Sequence, residues 1–158
     1  MKRARIGIVA IAALAVATVA WAQKPDFSGT WTLDPEQSTM AGGRQGGGGG
    51  RMGGGGMGPM TVKHTADTLS IESQGRGGMT VTRTYKLDGS ESEVQMGRMT
   101  AKATAKWDGD KLVISTTREG QDGTPNTTTE AWSLAGGMLT IEVTGGRGSG
   151  SKRVYKKG

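Results

Sequence analysis

Arg153 and Tyr155 carry the residue types and spacing best suited to binding chemistry. Two positions apart on an extended chain they share a face, so a planar guanidinium and a phenol converge on one carboxylate through charge-assisted hydrogen bonds. The competing placement turns Val154 to the core and leaves the pair at the surface, in a terminus that Lys152, Lys156 and Lys157 make basic. A second constellation is soft. Met57, Met60 and His64 lie in or beside a glycine-rich stretch, and Met96 and Met99 repeat the Met-x-x-Met spacing. Thioethers and imidazole suit Cu(I), above all where oxidation disfavours cysteine. The competing reading makes Met60 and Met99 core-facing strand residues.

Catalytic chemistry finds little to work with. There is no cysteine, and the single histidine, His64, has no serine or carboxylate at a recognised spacing. Asp108 and Asp110 flank a turn glycine and read as turn formers, while Glu91 and Glu93 belong to a polar segment and read as a solvated face. Arg44 and Arg51 sit among glycines, but no aromatic residue between them offers a base a stacking surface. The chain is therefore expected to be neither an enzyme nor a nucleic-acid binder, and no cofactor is implied.

The formal charge of +6 is unevenly placed, since Lys2, Arg3 and Arg5 supply half of it. They precede an apolar run from Ile6 to Val19 and the small-x-small triplet Ala20-Trp21-Ala22. That order is the one of a secretory signal peptide, and the run is shorter than the roughly 20 residues that span a bilayer as a helix. A signal peptide over 1–22, followed by a single domain over 23–158, is expected; a retained anchor is the alternative. The product is then soluble and either periplasmic or extracellular, with no integral membrane segment once the leader is removed. The absence of cysteine fits export and rules out a lipid-modified amino terminus. Oligomeric state leaves no mark on the sequence.

These residues must be positioned by strands. Outside residues 42–58, where 12 of 17 positions are glycine and a flexible loop is expected, period two dominates and no helical period stands out. Phe27, Gly29, Trp31 and Leu33 share one face. Met60, Val62 and His64 pair as a hairpin with Leu69 and Ile71, and Val81, Arg83, Tyr85 and Leu87 make the next face. Met99 to Trp107 turns through Asp108-Gly109-Asp110 into Leu112 to Thr116, the strongest hairpin signal in the chain. Thr128, Glu130, Trp132 and Leu134 alternate, Gly136-Gly137 reverses the chain into Leu139, Ile141 and Val143, and a last strand runs over 151–156. Nine strands are thus legible, most joined by short turns. Such a meander is antiparallel and loses its open edges by closing, which predicts an all-β, up-and-down barrel of about 8 to 10 strands.

Two segments sharpen this expectation. Phe27-Ser28-Gly29-Thr30-Trp31 resembles the Gly-x-Trp signature that opens the calycin superfamily, which contains lipocalins and fatty-acid-binding proteins, and Lys152-Arg153-Val154-Tyr155-Lys156 resembles its basic last strand. The resemblance implies two roles for one arginine. In calycins an arginine packs across the first-strand tryptophan, mapping to Arg153 over Trp31; in fatty-acid-binding proteins a last-strand Arg-x-Tyr holds the ligand carboxylate, mapping to Arg153 and Tyr155. The helical lid of fatty-acid-binding proteins has no counterpart, because the glycine stretch occupies that place, and no lipocalin Thr-Asp-Tyr motif is found. The expected function is binding of a small, largely apolar or amphipathic molecule with an acidic group, Arg153 and Tyr155 anchoring it and Trp31, Trp107 and Trp132 giving apolar wall. Copper binding through Met57, Met60 and His64, or a filled barrel with a structural or interaction role, are the alternatives.

Overall fold

The computed structural model describes residues 24–40, 58–75, 78–96, 99–120, 122–146 and 149–158. The expected leader and all of the glycine stretch except Gly58 lie outside these residues, as does Met57. Among the described residues the alternating segments form ten strands: β1 (Gly29–Leu33), β2 (Met60–His64), β3 (Thr68–Gln74), β4 (Thr80–Lys86), β5 (Glu91–Met96), β6 (Met99–Asp108), β7 (Lys111–Glu119), β8 (Pro125–Ala135), β9 (Met138–Thr144) and β10 (Ser151–Lys157). They make a single antiparallel sheet in the order β4-β3-β2-β1-β10-β9-β8-β7-β6-β5. The chain thus closes by pairing β1 with β10, Trp31 opposite Lys157 and Leu33 opposite Tyr155.

The barrel is nearly closed. β4 and β5 are the two ends of the sheet order, and they meet along a seam where Lys86 N donates to Ser92 Oγ at 3.0 Å. β5 is the strand that alternation did not reveal. Glu91 and Glu93 are indeed solvated, but they form the outer face of a strand whose inner face buries Ser92 and Val94. A small hydroxyl on the inner face hides the apolar period.

Turn chemistry explains the registers. Ala135 pairs with Met138 across Gly136-Gly137, both at positive φ (58° and 75°), which is the two-residue turn whose twist matches a hairpin. Gly29 has φ 136°, a conformation that side-chain-bearing residues rarely adopt, so the glycine of the Gly-x-Trp motif is required by its backbone, and the flexible end of Lys157 lies over the space it leaves.

The lumen is graded along its axis. At one end, the segment 24–28 crosses beneath the strands and inserts Phe27, whose ring packs 5.8 to 5.9 Å from those of His64, Trp107 and Trp132. Trp31 Nε1 donates to Phe27 O at 2.8 Å, so the buried indole is satisfied. Leu69, Ala105, Leu112, Trp132 and Leu139 seal this end with almost no exposure. Toward the other end the inward positions turn polar and half-buried, with Arg83, Thr116, Thr128, Glu130 and Arg153. There β1 leads into Asp34, whose carboxylate meets Lys156 Nζ at 2.9 Å, and Ser38 Oγ accepts from Val154 N at 3.0 Å. This short run continues β1 along β10 and buries Val154 from outside, so that Val154 and its neighbours Arg153 and Tyr155 are all shielded, on opposite faces of one strand.

Candidate functional site

The strand period places Arg153 and Tyr155 on the inner face of β10, opposite Ile141 and Leu139 of β9. Glu130 projects from the inner face of β8, two residues from Trp132 and opposite Val143. Arg153 Nη2 meets Glu130 Oε1 at 2.7 Å, with both side chains about four-fifths buried, at 21% and 20% exposure. The second carboxylate oxygen of Glu130 accepts from Trp132 Nε1 at 3.2 Å. The Arg153 guanidinium also reaches the Tyr155 hydroxyl. Burial works against its charge, but the Glu130 carboxylate and Tyr155 outweigh that penalty and hold its pKa above the ordinary value.

A second arm enters from across the lumen. Arg83 and Tyr85 lie on the inner face of β4, opposite Ile71 and Leu69 of β3, and β4 is four strands from β10 in the sheet order. Arg83-Thr84-Tyr85 therefore repeats Arg153-Val154-Tyr155 on a facing wall. Both phenols feel Arg83 and Glu130, so the five side chains form a single electrostatic neighbourhood. Burial raises the pKa of Tyr85 and of Tyr155, against the pull of their arginine neighbours, and keeps both phenols neutral donors at ordinary pH. Among the described residues the cluster holds two guanidinium groups against one carboxylate. Arg83 Nε is buried and has no hydrogen-bond partner.

The other expected site residues are distributed differently. Trp31 and Trp132 are each 1% exposed and belong to the sealed end of the core, Trp132 touching the polar cluster through its indole N–H. Trp107 is half-buried and stands apart from Arg153, lining an outer groove of about 280 Å³ with Lys24, Asp26 and His64. The cation over Trp31 is Lys157, its Nζ 5.7 Å from the ring centroid, which corrects the mapping of Arg153 to that place and leaves Arg153 inside the lumen. Met60 is buried opposite Trp31, and His64 is at the far end of the same strand, about 13 Å away at the usual rise per residue. His64 Nδ1 instead accepts from Phe27 N at 3.3 Å and lies 3.4 Å from Asp26 Oδ1. No group of three or more His, Cys, Asp or Glu is arranged to hold a metal ion among the described residues. Their exposed large hydrophobic residues are Met79, Met96 and Met99, which rim the polar end beside the β4 and β5 seam.

Glu130 and Arg83 are the functional candidates that spacing did not single out. Each was visible as a charged residue on an otherwise apolar alternating face, Glu130 beside Trp132 and Leu134, Arg83 between Val81 and Tyr85.

No protein-family model matches this sequence, and no curated protein matches it. Solved structures do. The fatty acid transporter REP1-NXSQ is similar over 83% of this chain and 95% of its own, with 17% identity and a TM-score of 0.57. Human cRBP IV is similar over 85% and 99%, at 19% identity and a TM-score of 0.57. A zebrafish ileal bile-acid-binding protein complexed with cholic acid follows over 84% and 98%, at 16% identity and 0.54. The likeness is one of fold: each of these proteins shares the antiparallel barrel described above.

Proposed function

We propose that this chain is an exported barrel that binds a small, largely apolar molecule with an acidic group, seated in the cluster of Arg83, Tyr85, Glu130, Arg153 and Tyr155. The observation that carries this reading is the charge imbalance inside the lumen: of two guanidinium groups, Arg153 takes the cluster's one carboxylate and Arg83 is left unmatched in a place where an unmatched charge is costly. A ligand acid removes the imbalance. The apolar part of the ligand then runs toward the polar end of the barrel, since the Phe27 end is sealed, and leaves past Met79, Met96 and Met99. The fold likeness to proteins described as a fatty acid transporter and as a cholic-acid complex supports an apolar ligand with an acidic head. Export rests on the leader-like order of residues 1–22.

Native mass spectrometry of protein recovered from its exported fraction tests both parts. The expected result is a mature chain starting at Gln23, with a reproducible small-molecule adduct that is lost in Arg153→Ala. A chain that retains Met1, or that stays free of adduct after incubation with mixed fatty acids, contradicts the corresponding part.

A further inference from the structure

The two arms of the cluster differ in how far their donors are already used. Glu130 uses one oxygen for Arg153 and the other for Trp132, so the Arg153 guanidinium already has a buried counter-ion in good geometry. Arg83 has no carboxylate within ion-pair distance among the described residues, and its Nε is buried without a partner. Its neighbour two positions along the same face is Tyr85, a second donor at the spacing of a carboxylate-binding pair.

We infer that the Arg83 and Tyr85 arm of β4 receives the ligand's acid, that the acid is a singly charged carboxylate on an apolar chain, and that Glu130 acts as a positioning residue that keeps Arg153 occupied. This inference rests on the binding reading above. The single charge follows from the inventory, because two guanidinium groups and one carboxylate leave a surplus of one. A doubly charged phosphate in the same place reverses the surplus and faces Glu130 at close quarters. The ligand head is thereby set against β4, beside the seam with β5, rather than against β10.

Isothermal titration of the full chain with oleate and with oleyl alcohol separates the possibilities, because the two probes share a chain and differ in the acid. The wild type is expected to bind oleate more tightly than the alcohol. Arg83→Gln is expected to lose roughly 10- to 100-fold in oleate affinity and much less in affinity for the alcohol, the difference between the two losses reporting the acid, while far-UV circular dichroism and a cooperative thermal transition report that the variant is folded. Glu130→Gln is expected to tighten oleate binding, since Arg153 is released to the ligand. Thermal unfolding of the free proteins gives an independent readout: Arg83→Met is expected to leave Tm unchanged or raise it, whereas Arg153→Met lowers it by abandoning Glu130. Wild-type affinity for oleate in Arg83→Gln, with the loss found in Arg153→Gln instead, overturns the assignment while sustaining the binding reading. A wild type that binds neither probe overturns the binding reading and the assignment with it.

Discussion

At the scale of single residues, the protein's distinctive chemistry is a set of polar groups held where water is scarce. Tyr85 and Tyr155 are almost completely buried, and burial raises both pKa values above the ordinary 10.0, against the arginines beside them. The sign of the pH dependence follows. A phenol with a raised pKa in the folded state contributes stability that is fully present below pH 10 and lost as pH rises through the folded value. The barrel is thus expected to lose stability steeply above pH 10, and Tyr155→Phe is expected to flatten that loss; urea titrations at pH 8 and pH 11 check it, and equal pH slopes for wild type and variant count against a buried neutral phenol. Arg153 and Tyr155 were legible as a pair because strand spacing alone puts them on one face. Glu130 was not, because nothing local says that a carboxylate on β8 meets an arginine 23 positions later; that contact comes from the pairing of both strands with β9.

At the scale of elements, the segment 24–28 does the most for its length. It carries Phe27 into three aromatic rings and supplies the carbonyl that satisfies Trp31. Phe27→Ala empties a fully buried position among side chains that sheet pairing prevents from collapsing, and it is expected to destabilise the fold by about 3–5 kcal/mol. Urea denaturation measures this as a lower midpoint with little change in slope. A loss below about 1 kcal/mol shows that the plug is dispensable. Most elements could be read from alternation, and the β6 to β7 turn and the Gly136-Gly137 turn stand where their residues predict. β5 escaped because Ser92 takes an inner position and donors and acceptors across the seam, not apolar packing alone, hold it. The run from Asp34 to Thr39 escaped as well, since its hold on β10 is made by one carboxylate, one hydroxyl and backbone bridges rather than by a period.

At the scale of the whole molecule, the barrel is sealed and aromatic at one end, charged in its middle, and rimmed by methionine at the other. Under the proposed function, that gradient is expected to orient an amphiphile with its head on the arginines and its tail toward Met79, Met96 and Met99. The fold class was legible because the nine amphipathic strands that alternation reveals, most joined by short turns, have few ways to bury one face each, and closing is the way that spares edges. The outer groove beside Trp107 was not, because it depends on how the first described residues cross the barrel floor. The most direct test of a buried acid held by guanidinium is the carbonyl carbon-13 resonance of oleate labelled at C1, followed in the complex from pH 8 to pH 4. The bound resonance is expected to stay at the ionised position throughout, since neighbouring guanidinium holds the ligand carboxyl below its ordinary pKa. A bound resonance that titrates near pH 5 like a solvated carboxyl, or no bound resonance at all, contradicts it.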